Sequence, residues 1–186
     1  MYNFEPIGTV RCNFIEKFGI PRQPGLSPSS EAIIEFPNNR FFEDSIKDLE
    51  GNSHIWVIFI FSSLKKKPDK AKIRPPRLGG NKYVGVFSSR SPYRPNPIGL
   101  SLVKFSHISY TKENIRLHIS DHDLLNGTPV LDIKPYTNAD TPNCEVTFSW
   151  QESEWCNLEV SFSEEAEKFL FKKIKHALSS KRPFWL

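Results

Sequence analysis

The sequence has little cysteine, little glycine and no long apolar run. Its three cysteines form no C-x-x-C pair, which argues against a disulfide framework and a thiolate zinc site. Its nine glycines form neither the Rossmann nor the P-loop motif, so nucleotide would have to bind in another way. The longest apolar run, Ile55 to Phe61, is too short to span a membrane, and residues 1–6 lack the pattern of a signal peptide. We therefore expect a cytoplasmic protein with one main domain.

Positive charge is concentrated in one segment. Residues 65–82 contain eight basic side chains and one acidic side chain, Asp69, which gives a net charge of +7. The rest of the chain has 17 basic and 20 acidic residues. Such a segment suits a phosphate backbone, because neutralising phosphates releases condensed counterions. The alternative is a solvated basic loop without a partner. The 15 Phe, five Tyr and four Trp favour RNA slightly, since aromatic rings stack on unpaired bases, although most are expected in the core.

The apolar pattern predicts a mainly β protein. His54 to Phe61 is a continuous β-branched and aromatic run, which predicts a strand buried on both faces. Strands this numerous at short spacing favour an antiparallel sheet or barrel. The other predicted strands are Glu5 to Arg11, Ala32 to Phe36, Tyr83 to Phe87, Leu100 to Ile108, Ile115 to Ile119, Val130 to Ile133, Val146 to Trp150 and Leu158 to Phe162.

One helix is clear from the sequence. Ser163 is suited to cap it, the acidic residues that follow favour the positive N-terminus, and apolar residues then repeat at helical spacing. A shorter helix between Phe42 and Leu49 has a weaker pattern. The sequence therefore predicts a β domain over residues 1–162, with the helix and tail of residues 163–186 packed on it.

The segment from Val86 to Leu100 is a candidate binding loop. It contains three prolines within six residues, which hold the backbone stiff around Arg90 and Arg94. A stiff backbone lowers the entropic cost of fixing a guanidinium against a carboxylate or phosphate. The alternative is an exposed proline-rich turn with solvated arginines.

Acidic residues flank a second candidate segment. Asn126-Gly127 is a hairpin signal between apolar runs. Asp132 interrupts the following run, and a buried carboxylate there needs a partner, for which an arginine of the proline-rich loop is the obvious candidate. The alternative is an edge strand with Asp132 in water. Asp121-His122-Asp123 could ligate a metal, but adjacent residues of an extended segment point to opposite faces, which favours a solvated acidic loop and no metal.

Four ordered motifs make the chain recognisable. They are Ile20-Pro-Arg-Gln-Pro-Gly-Leu26, Arg74-Pro-Pro-Arg-Leu-Gly-Gly-Asn81, Gly85 to Ser101 and Asp123 to Tyr136. Together they resemble the TsaA-like family of S-adenosylmethionine-dependent methyltransferases, which modify threonylcarbamoyl-adenosine beside the anticodon of tRNA. The resemblance implies a single-sheet β-barrel, a tRNA partner and a homodimer. Several members continue into a small C-terminal domain, so we expect this chain to be a short form or a fragment.

The resemblance also implies site residues. A glycine lets backbone approach the cofactor, Arg90 can bind a carboxylate, and the acidic residues can contact ribose hydroxyls or the sulfonium. Members often carry a histidine where this chain has Ser62-Ser63. The implied cofactor residues are Pro24, Gly25, Leu26, Ser62, Ser63, Arg90, Leu100, Asp121, His122, Asp123 and Leu124.

Other residues are candidates for contacting the RNA or the reacting nitrogen. Either Asp132 or Tyr136 could orient the nucleophile, and the sequence does not choose between them. A non-catalytic barrel that binds RNA or nucleotide is the alternative to an enzyme. The predicted RNA-binding residues are Lys65, Lys66, Lys67, Arg74, Arg77, Lys82 and Arg94.

Overall fold

The computed structural model describes residues 3–27, 30–64, 70–150 and 161–179. It divides into two compact units, residues 1–147 and residues 148–186. The strands are β1 (Gly8–Cys12), β2 (Glu31–Pro37), β3 (His54–Ile60), β4 (Lys72–Ile73), β5 (Val84–Gly85), β6 (Ile98–Tyr110), β7 (Asn114–Ser120) and β8 (Pro129–Pro135). The α-helices are α1 (Arg40–Ser45) and α2 (Glu164–Ser179), and short 3-10 turns span Lys17–Gly19, Leu49–Gly51, Pro76–Leu78, Val86–Ser88 and Asn138–Asp140.

Six strands of the first unit form one antiparallel sheet. They are hydrogen-bonded in the order β1-β2-β7-β6-β3-β8, and β8 also pairs with β1, so the sheet closes on itself. The closing contact is short and pairs Gly8 with Val130 and Thr9 with Pro129. Strands β4 and β5 form a separate two-stranded ladder. The prediction of a mainly β fold on an antiparallel sheet is confirmed.

Alternating side chains of the six strands fill the interior. In β3, Ile55, Val57 and Phe59 are buried, whereas the residues between them are only half-buried. The prediction of a strand buried on both faces was therefore wrong, because a strand of a closed sheet has a single interior face. Its outer face is apolar because other side chains partly cover it; the rings of Trp56 and Tyr136, for example, lie 6.2 Å apart.

Two strand predictions were wrong in their extent. Residues 146–150 form no strand, and Val146 and Phe148 are exposed, because an alternating pattern by itself supplies no neighbouring strand. The segment from Tyr83 to Phe87 contributes only the two residues of β5 before the chain turns. The predicted strand from Leu158 to Phe162 begins outside the described residues, and Cys156 also lies outside them.

Both predicted helices form, although α1 ends at Ser45 and Leu49 lies in a separate 3-10 turn. The side chain of Asn39 accepts a hydrogen bond from the backbone of Phe42, which starts α1 earlier than its apolar residues suggest. Ser163 caps α2 through a 3.3 Å bond from the backbone of Ala166 to its hydroxyl. The packing of α2 on the sheet, and a domain boundary at residue 163, stay predictions. Across the described residues, no helix has both the length and the apolar character needed to cross a membrane.

Candidate active site

One end of the closed sheet carries a large cavity. Its volume is 1090 Å³, and its walls come from the ends of β3 and β6 and from four loops at the same rim. The segments that line it are 17–23, 59–64, 89–94, 98–101 and 123–128, each through some of its residues. A cavity bounded by several loops can hold a ligand without disturbing the hydrogen bonds of the sheet.

The cavity brings together part of the predicted cofactor site. The predicted residues that line it are Ser62, Ser63, Arg90, Leu100 and Asp123, joined by Arg94 from the predicted RNA set. The other predicted cofactor residues, Pro24, Gly25, Leu26, Asp121, His122 and Leu124, do not line it. In the first motif, the cavity wall is instead formed by Ile20, Pro21, Arg22 and Gln23.

Arg94 stabilises the proline-rich loop from within. Its Nη1 donates hydrogen bonds to the carbonyl oxygens of Ser89, at 2.8 Å, and Val86, at 3.3 Å. Its guanidinium also lies 5.7 Å from the centre of the Phe87 ring. Arg90, in the same loop, is exposed and lines the cavity. Both arginines predicted from the stiff loop line the cavity, and Arg94 also holds the loop in shape.

Asp123 is the carboxylate of the cavity. Its Oδ1 accepts a hydrogen bond of 2.5 Å from the hydroxyl of Ser101, which is buried inside the sheet. Burial raises the pKa of the Asp123 carboxyl above its ordinary value, while the bond from Ser101 and the positive charge of Arg90 act in the opposite direction. The strand alternation of β6 explains the position of Ser101, because Gly99, Ser101 and Val103 all point inward.

The two residues before Asp123, Asp121 and His122, are fixed by hydrogen bonds to residues that do not line the cavity. Asp121 has a left-handed backbone with φ 59°, and its carbonyl oxygen accepts a 3.0 Å bond from the backbone of Gly25, whose φ is 81°. His122 is 1% exposed, so the expectation of a solvated acidic loop was wrong for this segment. Its Nδ1 accepts a bond from the backbone of Leu124, and burial lowers its pKa. Gly25, Asp121 and His122 thus position Asp123 from outside the cavity.

Asp132 and Tyr136 lie away from the cavity. Asp132 forms an ion pair of 3.0 Å with Lys134, so an arginine of the proline-rich loop was the wrong partner. It lines a second cavity of 440 Å³ beside α1. The hydroxyl of Tyr136 bonds that of Thr141 at 2.7 Å. In the described part of the chain, no three His, Cys, Asp or Glu side chains gather as metal ligands.

The basic segment is partly described. Lys65, Lys66 and Lys67 lie outside the described residues. Beyond them, the guanidinium of Arg74 lies 4.4 Å from the centre of the Tyr83 ring and is hydrogen-bonded to its hydroxyl, so the two residues link β4 to β5. Arg77 is half-buried in the turn after β4, and Lys82 is exposed.

Comparison with known proteins identifies the family. Residues 9–141 match the model of the tRNA-methyltransferase O N-terminal domain. The chain belongs to this family. It is 40% identical over 173 residues to the tRNA (adenine(37)-N6)-methyltransferase of Escherichia coli K12, covering 91% of this chain and 72% of that protein. It is also 38% identical over 160 residues to a probable S-adenosyl-L-methionine-binding protein of Pyrococcus abyssi, covering 86% and 81% of the two chains.

A solved structure from the family agrees with the fold. The crystal structure of TrmO from Pseudomonas aeruginosa superposes with a TM-score of 0.71 at 31% identity, over 95% of this chain and 75% of that one. The family membership predicted from the four motifs is confirmed. The matched range, residues 9–141, includes all six strands of the closed sheet except the first residue of β1.

Sequence reasoning missed several residues of this tRNA-methyltransferase O domain. Ser101 and Phe59 line the cavity from inside the sheet, and Arg22 lines it from the loop after β1. A signal for Ser101 was present: it is the one hydroxyl on the inward face of an otherwise apolar strand end, and a buried hydroxyl needs a partner. No comparable signal separates Phe59 from the other core aromatics.

Proposed function

We propose that this protein transfers a methyl group from S-adenosylmethionine to the N6 nitrogen of adenosine 37 in tRNA, with threonylcarbamoyl-adenosine as the modified base. The observation that carries the proposal is the rim cavity, where segments of three of the four motifs bring Arg90 and Asp123 together. The E. coli relative is named for the same reaction at the same position. A tRNA substrate implies that the reaction occurs in the cytoplasm.

The chemistry of the cavity fits the cofactor. Its volume of 1090 Å³ is large enough for a ligand of this size, since small-molecule pockets span about 300 to 1,000 Å³. Arg22 and Arg90 offer positive charge for the carboxylate of the methionine part. Ile98 and Leu100, both exposed, offer an apolar wall for the adenine. Ser62 and Ser63 lie at the rim, where they can donate hydrogen bonds.

The chain contributes mainly orientation. The cofactor supplies an electrophilic methyl group when it is bound. Displacement requires the nucleophile, the methyl carbon and the sulfur to lie in line, and fixing that geometry can supply most of the acceleration. The stiff loop that carries Arg90, held by Arg94, is suited to this task. No covalent residue is required.

The basic segment is the proposed RNA surface. Residues 65–82 carry the net charge of +7, and Arg74 stacked on Tyr83 presents a cation and an aromatic ring together. We propose a homodimer in which the cavity of one subunit faces the basic segment of the other. In such a dimer, Asp132 or Tyr136 could reach the substrate only from the second subunit, because neither lines the cavity of its own.

Labelled methyl transfer tests the proposal. The protein is incubated with methyl-labelled S-adenosylmethionine and with tRNA from cells that either form or lack the threonylcarbamoyl group. We expect label in the first tRNA only, located at adenosine 37 by nuclease digestion. Label in neither tRNA, together with tRNA binding in a filter assay, would favour the alternative of a non-catalytic RNA-binding barrel.

A further inference from the structure

The buried Ser101 and the half-buried Asp123 form a hydrogen-bonded pair at the wall of the cavity. Ser101 is 1% exposed and directs its hydroxyl at Oδ1 of Asp123 over 2.5 Å. A hydroxyl in this position fixes the rotation of the carboxylate through Oδ1. Asp123 itself lines the cavity, so its carboxylate is available to a bound molecule.

Methylation of the proposed nitrogen releases a proton that must be accepted. The N6 nitrogen of a carbamoylated adenosine carries one hydrogen, and its lone pair is delocalised into the carbonyl group. Removing that hydrogen as the new bond forms makes the nitrogen a much better nucleophile, and positioned bases accelerate such steps by about 10²- to 10⁴-fold. Among the described residues that line the cavity, Asp123 is the one acidic side chain.

We infer that Asp123 is the general base that takes the N6 proton, and that Ser101 is the residue that positions it. The inference rests on the proposed function. The N6–H bond breaks and its proton moves to Asp123, while the electron pair on nitrogen forms the bond to the methyl carbon. The carbon–sulfur pair leaves with the sulfur, which becomes neutral. Asp123 then returns the proton to water, so charge and atoms balance.

The surroundings of Asp123 suit a base that is more basic than an exposed aspartate. Burial raises its pKa, whereas the Ser101 hydrogen bond, a backbone hydrogen bond and the Arg90 charge act in the opposite direction. The other charged groups that face the cavity are Lys17, Arg22 and Arg94, all cationic. Asp121, two residues earlier in the chain, is not among the residues that line it.

Single-turnover rates against pH test the inference. We expect Asp123→Asn, which keeps an oxygen for Ser101, to lower the rate by about 100-fold or more at every pH. Ser101→Ala should retain the plateau rate and move the rising limb of the pH profile upward by about one unit, because the ionised carboxylate loses a charge-assisted hydrogen bond. Both variants should bind S-adenosylmethionine within a factor of about three of the parent protein by calorimetry.

A matched control is Asp44→Asn, which removes an exposed carboxylate of α1 paired with Arg40 and Lys47, and should leave the profile unchanged. If Asp123→Asn lowers cofactor affinity and rate by the same factor, Asp123 is a cofactor ligand and the inference fails. An unchanged rate in Asp123→Asn also overturns it. If the parent itself methylates no tRNA, the proposed function fails. That result differs from the two outcomes for Asp123→Asn, in each of which the parent is active.

Discussion

Arg94 donates a hydrogen bond from Nη1 to the carbonyl oxygen of Ser89, 2.8 Å away, and so joins the two ends of the segment that carries Arg90. The same nitrogen reaches the carbonyl oxygen of Val86 at 3.3 Å. Prolines stiffen the second half of this loop, and each of them removes one backbone donor. The side chain of Arg94 therefore adds a cross-link to the short backbone bonds of the loop, such as the one from Ser89 to Val86.

Replacing Arg94 should weaken cofactor binding indirectly. We expect Arg94→Ala to lower the affinity for S-adenosylmethionine by about 10-fold. Hydrogen bonds to a charged group contribute about 1.5 to 3 kcal/mol each, and part of the lost stabilisation would have held the loop that carries Arg90 in its binding conformation. Calorimetry measures the effect, with Arg40→Ala in the exposed helix α1 as the control. If Arg94→Ala binds the cofactor normally but loses tRNA, its guanidinium contacts RNA, as the sequence suggested.

The lysine run should determine the salt dependence of tRNA binding. Replacing Lys65, Lys66 and Lys67 together by Ala should weaken binding. It should also reduce the magnitude of the slope of log affinity against log salt concentration by about two to three, since each neutralised phosphate contributes about 0.7 to 0.9 to that slope. Cofactor binding should not change. The control removes the same charge elsewhere, at Lys47, Lys104 and Lys112. Equal slopes in the two triple variants would contradict an RNA surface at residues 65–67.

Gly99 is required by the ring opposite it. It pairs with Phe59 across β3 and β6, and a Cβ built on Gly99 would lie 2.2 Å from the Phe59 ring. We expect Gly99→Ala to reduce the free energy of unfolding by about 1 to 3 kcal/mol, as overpacked cores do, and to displace Phe59 in the cavity wall. Urea unfolding and cofactor calorimetry measure the two effects. Gly51→Ala, with no heavy atom within 4 Å, is the control and should change neither.

The ionised Asp123 should destabilise the fold. Its pKa in the folded protein is raised above the ordinary value of 3.8, so the folded state binds more protons than the unfolded state between these two values. Stability is therefore lost as pH rises through the folded pKa. We expect Asp123→Asn to have a higher melting temperature than the parent at pH 7, by a margin that shrinks toward pH 4. A variant that melts lower at neutral pH would contradict this assignment of the burial cost.

His122 should make the protein sensitive to mild acid. Burial lowers its pKa below the ordinary value of 6.5, as it does for His118, so stability is present above that pH and is lost as pH falls through the folded values. His122→Asn keeps an acceptor for the backbone of Leu124 and should unfold with a smaller dependence on pH between about 7 and 5. His118→Asn separates the second contribution. The same slope in His122→Asn as in the parent would show that His122 does not titrate in this range.

Much of the fold could be predicted because local patterns determine it. The alternation in β2, β6 and β7 predicts which residues point inward, and burial in the structure follows that alternation. The failures involve long-range neighbours. Residues 146–150 alternate equally well but have no strand beside them, and the continuous run in β3 resembles a strand between two layers. Sequence periodicity reports the local pattern and cannot report the pairing partner.

Motifs could point to the loops of the candidate site but not to the residue of each loop that faces the cavity. In the first motif, Arg22 lines the cavity and Gly25 does not. Asp132 was predicted to need a charged partner because it interrupts an apolar run. Its ion-pair partner is Lys134, two residues away on the same strand. Ser101 gave a weaker signal than either, and its contact with Asp123 joins a strand to a loop 22 residues later.

The closing contact between β1 and β8 has a consequence for synthesis. The ribosome releases β1 early, but the outer edge of β1 has no partner until Pro129 to Pro135, which form β8, have emerged. Strand β8 also pairs with the free edge of β3. An unfinished chain thus presents two open edges, which are templates for aggregation. The walls of the cavity come from both ends of this sequence, from Lys17 to Thr128. A nascent chain that has not yet reached Thr128 therefore lacks part of the cavity wall.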